Sequence, residues 1–174
     1  MGDIGRAVRD RAESFGFEKI VYYNRSKLSP ELEKQCEYAS TLEELVSVSD
    51  VISINCPLNR STYHLIDDSL ISKMKDGVVI VNTARGAVIH EQDMIKHLKT
   101  GKIGAAGLDV FENEPVPSKE LLDMPSVLAL PHMGTHTVQA FSDMESWTIH
   151  NIRSALLTGK VQTIVPEQKN TKFN

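Results

Sequence analysis

Apolar residues recur with two different spacings along the chain, and the spacing predicts which segments are helices and which are strands. Ile4, Val8 and Ala12 follow one another at four-residue intervals, which is typical of one face of an α-helix, and Gly16 is a typical residue at which such a helix ends. Short apolar runs bounded by polar residues have instead the length of buried strands. These runs lie at 20–23, 51–54, 78–81, 105–110 and 127–130.

Helix start signals lie between these apolar runs. Ser29 before Pro30 fits an N-cap and a first helical residue, and Thr41 with Glu44 fits a capping box. Further helices are predicted to begin at Asp67, near Ile89 and at 137, the last running to 157 before Gly159. Strands that alternate with helices at this spacing predict an α/β fold with a doubly wound parallel sheet.

Polar side chains follow each of the predicted strands. In a doubly wound sheet, ligands bind at the carboxyl ends of the strands. Each of these residues by itself fits a solvated loop, but five strand ends in succession favour a ligand site. The residues at these ends are Asn24, Arg25 and Ser26; Asn55, Cys56 and Pro57; Thr83, Ala84, Arg85 and Gly86; Asp109; and His132.

Composition and charge narrow the class of protein. With 19 Lys and Arg against 23 Asp and Glu, the formal net charge is -4, whereas a nucleic-acid binder usually has a basic stripe. No apolar run reaches transmembrane length, and the two cysteines, Cys36 and Cys56, fit a reducing compartment. We therefore expect a cytoplasmic protein that binds neither nucleic acid nor a membrane, with nuclear residence left open. The histidines show no metal-ligand spacing with cysteines or acids, so no metal is expected.

The first residues fit part of a dinucleotide-binding fingerprint. Gly2 and Gly5 have the spacing of the second and third glycines of G-x-G-x-x-G, and Asp3 and Ile4 lie between them at the start of the predicted helix. An ordinary turn explains two glycines equally well. After the next strand, where an enzyme that prefers NAD has an acid on the ribose, the sequence has Arg25. A guanidinium suits a phosphate, which favours NADP(H) over NAD(H) as the cofactor.

Longer motifs make a resemblance specific. The stretch VNTARGAVIHEQDMIKHLKTGKIGAAGLDVFENEP, followed by LALPHMGTHT, resembles the D-isomer-specific 2-hydroxyacid dehydrogenase family, and within it the glyoxylate and hydroxypyruvate reductases. The resemblance extends from Gly2 to about Val165. It implies a Rossmann-type NAD(P)-binding domain over 1–165, a polar tail over 166–174, and NAD(P)H-dependent reduction of a small 2-oxo acid such as glyoxylate or hydroxypyruvate.

The resemblance also implies roles for individual residues. Arg85 matches the family's substrate-binding arginine, His132 matches its acid/base histidine, and Glu114 matches the carboxylate that orients this histidine. These residue types suit the chemistry, because a guanidinium fork binds a carboxylate and an imidazole transfers protons near neutral pH. Thr135 lies where the family has a small hydroxyl residue near the substrate. The positions expected to face the cofactor are Gly2, Asp3, Ile4, Asn24, Arg25, Ser26, Cys56, Pro57, Thr83, Ala84, Arg85, Asp109, His132 and Gly134.

The chain departs from the family in length. Family members are about twice as long, and they have a substrate domain formed mostly by the N-terminal part of the chain. We expect this chain to be a cofactor domain that lacks the substrate domain and the first strand of the dinucleotide fold, and we expect a homodimer for the intact family form. Two alternatives stay open: a non-catalytic dinucleotide-binding module like the C-terminal binding proteins, and a relict without activity.

Overall fold

The computed structural model describes residues 1–165 and 168, so the predicted polar tail at 166–174 lies outside the described residues apart from Gln168. The chain forms two compact units, Met1–His132 and Met133–Asn174. All of the predicted site residues except Gly134 and Thr135 belong to the first unit. None of the helices in the described part of the chain is long and apolar enough to cross a membrane.

The first unit alternates helices and strands, which confirms the predicted α/β fold. Its helices are α1 (Asp3–Ala12), α2 (Pro30–Glu33), α3 (Leu42–Val48), α4 (Asp68–Ser72), α5 (Glu91–Thr100) and α6 (Lys119–Leu122). Its strands are β1 (Val21–Tyr22), β2 (Glu37–Tyr38), β3 (Val51–Ile54), β4 (Val78–Asn82), β5 (Ile103–Leu108) and β6 (Val127–Ala129). The second unit contains one long helix, α7 (Val138–Thr158).

All strand pairs are parallel, as the sequence predicts. β1 pairs with β2, and a separate four-stranded sheet has the order β3-β4-β5-β6. In the doubly wound order 3-2-1-4-5-6, the first strand is central. The two sheets match this order, with β6 as one further strand at its end, if the place of the first strand lies between β1 and β3, which do not pair with each other in the described chain. Within the described residues, β1 and β3 therefore belong to separate sheets.

β4 lies inside the four-stranded sheet and carries much of the core. Val78 and Ile80 on one of its faces are 1% and 0% exposed, and Ile71 of α4 and Ile95 of α5 belong to the same apolar cluster. Full burial of one aliphatic side chain contributes about 1.5–3 kcal/mol. The turn after β4, which carries Arg85, therefore starts from a well-packed strand.

Side-chain caps set the starts of two helices as the sequence predicts. Thr41 Oγ1 accepts a hydrogen bond from the amide of Glu44 at 3.0 Å, and Asp67 Oδ1 accepts one from the amide of Leu70 at 2.9 Å. Gly101 follows α5 with a φ of 77°, a left-handed conformation that suits glycine. These signals act over a few residues, so the sequence alone reveals them.

Two short elements and some strand bounds differ from the sequence-based predictions. The apolar pattern does not predict β2 or α6, because two and four residues are too few to show a period. β1 has two residues where the pattern predicts four. β5 spans Ile103–Leu108 rather than 105–110, since its pairing with β4 begins with Ile103 opposite Val78. Strand bounds therefore follow the ladder rather than the apolar run.

Candidate active site

One buried amide side chain fixes the turn after β4. Asn82, the last residue of β4, is 1% exposed. Its Nδ2 donates to the carbonyl oxygen of Arg85 at 3.0 Å, and its Oδ1 accepts from the amide of Ala84 at 3.0 Å. Both polar atoms of the buried amide are satisfied, and the backbone of the turn is held in one conformation. Asn82 is not among the site residues that the sequence predicts, although a polar residue at the end of a buried run is a usable signal.

Arg85 follows this turn and precedes the 3₁₀ segment Gly86–Val88. Its side chain is exposed, and its Nη1 donates to the carbonyl oxygen of Ala84 at 2.6 Å. Thr83 is also exposed, whereas Ala84 packs against the hydrophobic core. The structure therefore presents a guanidinium at the carboxyl end of an inner strand.

Gly86 lets the Arg85 turn approach the loop after β5. A Cβ atom at Gly86 would lie 1.9 Å from the carbonyl carbon of Phe111 and 2.4 Å from the amide nitrogen of Glu112. These neighbours are backbone atoms, which cannot rotate away, so only glycine fits. The contact brings the loop that carries Glu114 next to the turn that carries Arg85.

Gly86→Ala is expected to destabilise the protein by roughly 1–3 kcal/mol, the usual effect of overpacking. The free energy of unfolding in urea measures this effect. Gly107→Ala is the matched control, because a Cβ at Gly107 meets only Val81 Cγ2 at 3.9 Å, an ordinary contact. Equal stability of the two variants would contradict the close packing of the two loops.

Glu114 and His132 form a hydrogen-bonded pair from two different loops. Glu114 Oε2 lies 2.8 Å from His132 Nδ1, and Glu114 Oε1 accepts from the amide of Phe111 at 2.9 Å. His132 has a φ of 52°, a left-handed conformation that is uncommon outside glycine and clusters at functional sites. Because Nδ1 is engaged by the carboxylate, Nε2 is the ring nitrogen that Glu114 leaves for other chemistry.

The surroundings of Glu114 stabilise its charged form. The hydrogen bond to His132 is the largest cause that lowers the pKa of the Glu114 carboxyl, and the amide of Phe111 is the second. Burial acts in the opposite direction, and the positive charges of His132 and Arg85 add smaller lowering effects. The close approach of Gly86 to the Phe111–Glu112 peptide bond places the turn of Arg85 beside the loop that carries Glu114. The structure thus brings Arg85, Glu114 and His132 together at one edge of the sheet.

This lowered pKa predicts how stability depends on pH. The folded pKa of Glu114 lies below its unfolded value of about 4.3, so the ionised carboxylate contributes stability that is fully present above about pH 4.3. The contribution is lost as the pH falls through the lowered pKa. In urea unfolding from about pH 6 to about pH 3, wild-type stability should decrease more steeply than that of Glu114→Gln, and the two curves should converge. Parallel curves over this range would contradict the pairing.

The residues after β1 form a polar segment. Asn24 Oδ1 accepts from the N-terminal ammonium of Met1, and the Asn24 carbonyl oxygen accepts from the hydroxyl of Tyr38 at 3.1 Å. The side chains of Arg25 and Ser26 are exposed. Arg25 is therefore presented to solvent beside an asparagine whose backbone and side chain are both held.

The start of α1 has free space around Gly2. Gly2 is its N-cap and contributes no side-chain hydrogen bond, and a Cβ at Gly2 would meet nothing within 4 Å. Asp3 pairs with Arg6 one turn later, and Ile4 is 70% exposed. The first amide groups of a helix lack partners within the helix and favour an anion, and the pairing of Asp3 with Arg6 offsets the negative charge beside them.

Asn55 and Cys56 after β3 and Asp109 after β5 are less exposed, whereas Pro57 is exposed. Cys56 is half-buried against the hydrophobic core, and burial raises the pKa of its thiol. The carbonyl oxygen of Pro57 accepts from Thr62 Oγ1 at 2.6 Å. Asn55 Oδ1 is buried and has no hydrogen-bond partner among the described residues, and Asp109, directly after β5, is 5% exposed.

Gly134 and Thr135 belong to the second unit, and their roles stay predictions. Within residues 1–165 and 168, no group of three or more His, Cys, Asp and Glu side chains is arranged to hold a metal ion.

Parallel strands that alternate with helices, with polar residues after their carboxyl ends, define the class of doubly wound α/β domains, which bind nucleotides and other ligands at that edge. Residues 1–134 match the family of the D-isomer specific 2-hydroxyacid dehydrogenases, NAD binding domain. The chain belongs to this family.

Known relatives agree with this assignment. The chain is 56% identical over 170 residues to Glyoxylate reductase 1 of Saccharomyces cerevisiae. This match covers 98% of the chain and 48% of the relative. It is 53% identical over 170 residues to 4-methyl-2-oxopentanoate reductase A of Aspergillus oryzae, covering 98% of the chain and 51% of the relative. The chain therefore spans about half the length of the curated relatives that it matches.

Two solved structures of reductases are also similar to this chain. A glyoxylate reductase from Paecilomyes thermophila matches with a TM-score of 0.93 and 50% identity, over 97% of this chain and 51% of that one. An NADPH-dependent glyoxylate/hydroxypyruvate reductase from Sinorhizobium meliloti, solved with NADP and malonate, matches with a TM-score of 0.90 and 31% identity. That match covers 95% of this chain and 51% of the other. These structures show that the chain has the Rossmann-like NAD-binding fold.

Proposed function

We propose that this chain is the nucleotide-binding part of a reductase that uses NADP(H) to convert small 2-oxo acids, such as glyoxylate or hydroxypyruvate, into 2-hydroxy acids. The observation that carries the proposal is the Glu114–His132 pair, with 2.8 Å between Oε2 and Nδ1, whose Glu114 loop lies beside the turn of Arg85. Reduction of a 2-oxo acid needs a proton donor and a cation at one place. The names of the relatives, among them glyoxylate reductases and a hydroxypyruvate reductase, support the substrate class.

The three side chains have complementary tasks in this proposal. A 2-oxo acid has a carboxylate and a ketone, and the guanidinium fork of Arg85 binds the carboxylate and polarises the ketone oxygen. Bound NADPH supplies the hydride for the ketone carbon. His132 holds a proton on the nitrogen that Glu114 does not engage and donates it to the alkoxide oxygen. Glu114 keeps the ring oriented through Nδ1 and offsets the charge of the protonated imidazole.

The other strand ends fit a dinucleotide. The open start of α1 at Gly2 suits a pyrophosphate, because the amide groups of a helix N-terminus bind anions. The buried Oδ1 of Asn55, unpartnered among the described residues, suits an N–H donor of a bound molecule. The proposed contact set in the first unit is Gly2, Asp3, Ile4, Asn24, Arg25, Ser26, Cys56, Pro57, Thr83, Ala84, Arg85, Asp109 and His132.

Arg25 is proposed to set the preference for NADP(H) over NAD(H). Arg25→Asp should weaken NADPH binding by roughly 10-fold to 100-fold, because a charge-assisted hydrogen bond to the 2′-phosphate is replaced by repulsion. NADH binding should be equal or tighter, since a carboxylate can accept from the ribose hydroxyls. Fluorescence titration with both cofactors gives the ratio of the two Kd values. Arg11→Asp, an equal change of charge at an exposed residue of α1, should leave the ratio unchanged. An unchanged ratio in Arg25→Asp would show that the phosphate lies elsewhere.

The proposal also covers the domain bounds, the location, the oligomeric state and the partners of the protein. We place the NAD(P)-binding domain at 1–165 with a tail at 166–174, and the protein in the cytoplasm. Its intact form would be a homodimer that acts on small acids. A net charge of -4 supports the absence of a nucleic-acid partner.

Two measurements test the proposed function. The chain is first titrated with NADPH, and a chimera that joins the N-terminal half of the Saccharomyces cerevisiae relative to this chain is then assayed with glyoxylate and hydroxypyruvate. NADPH binding together with substrate reduction is the expected result. Cofactor binding without reduction in a folded chimera would indicate a non-catalytic binding module, and failure to bind would overturn the proposal.

A further inference from the structure

Two glutamates from different elements hold each other's backbone next to the candidate site. The amide of Glu112 donates to Glu91 Oε2 at 3.2 Å, and the amide of Glu91 donates to Glu112 Oε2 at 3.0 Å. Glu91 is the first residue of α5 and is 5% exposed. The exchange ties the peptide bond after Phe111 to the start of α5.

Glu112 acts as a cap for α5 from outside the helix. The N-cap residue of α5, His90, contributes no side-chain hydrogen bond, so the Glu112 carboxylate satisfies an amide that would otherwise lack a partner. A negative charge is also favourable at a helix N-terminus. The second oxygen of Glu112, Oε1, lies 2.8 Å from His64 Nε2. The amide of His64 donates to the carbonyl oxygen of Ala87 at 2.9 Å, which joins this contact to the turn after Arg85.

A short stretch of backbone connects the hydrogen bonds between Glu91 and Glu112 to Glu114. The amide of Phe111 donates to Glu114 Oε1 at 2.9 Å, and Glu114 Oε2 lies 2.8 Å from His132 Nδ1. The peptide bond between Phe111 and Glu112 is also the one that Gly86 approaches too closely for a side chain. The amide that donates to Glu114 lies in the peptide bond before Phe111, directly next to the Phe111–Glu112 peptide bond, which Glu91 Oε2 holds on one side and Gly86 approaches on the other.

We infer that Glu112 is a positioning residue for the Glu114–His132 pair. Its carboxylate joins α5 and the loop at His64 to the loop after β5, and so holds the Phe111 amide where Glu114 needs it. The inference rests on the proposed function, because the alignment of Glu114 has a catalytic meaning only if His132 transfers a proton.

The Phe111 amide reports this positioning directly. Hydrogen exchange of the full chain, followed by NMR at about 15 °C where ordinary domains are most stable, should be roughly tenfold faster at Phe111 in Glu112→Ala than in wild type. Glu112→Gln keeps one oxygen that can accept the Glu91 amide, so it should restore most of the protection. Asp93→Ala is the matched control, because Asp93 Oδ2 also accepts a backbone amide, that of Asp68 at 2.9 Å, but this amide belongs to α4 and not to the loop after β5.

The outcomes separate this inference from the proposed function, since exchange needs no substrate. Faster exchange at Phe111 in Glu112→Ala but not in Asp93→Ala supports the inference, even if the chimera reduces no 2-oxo acid. Equal exchange in wild type and Glu112→Ala overturns it, as does an equal increase in both variants. If Glu112→Ala does not fold, His64→Ala removes one contact of the carboxylate and should accelerate exchange at Phe111 by a smaller factor. An unchanged rate in that variant also overturns the inference.

Discussion

Replacing Arg85 or His132 with alanine is expected to lower kcat/KM for glyoxylate by roughly 10²-fold to 10³-fold, which corresponds to about 2.7–4 kcal/mol of transition-state stabilisation. Negative charge develops on the ketone oxygen during reduction, and these side chains supply the positive charge and the proton that stabilise it. The measurement uses the chimera with the N-terminal half of the Saccharomyces cerevisiae relative. That relative is 56% identical to this chain over 170 residues.

The two variants should differ in how they lose activity. Arg85→Ala should raise KM as well as lower kcat, because Arg85 also binds the substrate carboxylate in the ground state, whereas His132→Ala should lower mainly kcat. Arg11→Ala and His150→Ala are matched controls, since both residues are exposed and neither follows a strand. Near-normal turnover of both site variants would refute the assignment of the site.

Low stability of the isolated chain is the second large expected effect. β1 and β3 each have a strand partner on one side only within the described chain, and Val51 of β3 is 45% exposed. A strand between them with three buried Val or Ile side chains would contribute roughly 4–9 kcal/mol. Ordinary domains have a total stability of only about 5–15 kcal/mol. We therefore expect thermal unfolding below about 45 °C, or association through the open edges.

Thermal unfolding of residues 1–174 with and without NADPH tests this expectation. NADPH at 100 times its Kd should add about 2.7 kcal/mol. The chimera, which supplies a strand for the gap, should unfold roughly 10–30 °C higher than the chain alone. A monomeric, cooperative transition of the chain alone above about 45 °C would show that the two sheets are stable without that strand.

Much of the fold could be predicted because its signals are local. The run 78–81 is apolar throughout, as an inner parallel strand requires, and the caps at Thr41 and Asp67 depend on residues three positions away. The alternation of strands and helices then implies a parallel sheet. β2 and α6 could not be predicted, because their few residues are ordered by pairing and packing with distant segments.

The candidate site also has a part that the sequence predicts and a part that only the structure shows. The sequence by itself determined that Arg85 and His132 come shortly after buried runs, at the edge of the sheet where ligands bind, whereas the ladder of β5 decided that Asp109 lies after its strand and not within it. Resemblance to the family added the roles of Glu114 and His132, and the structure adds the 2.8 Å contact between them.

Only the tertiary structure decided how these residues are held. Asn82 at the end of a buried run is visible in the sequence, but the close approach of Gly86 to Phe111 and the exchange between Glu91 and Glu112 have no pattern in it. Each depends on which residues of β4, β5 and α5 come face to face. That choice is made by the register of the parallel ladder and the packing of the helices on it, which join segments far apart in the chain.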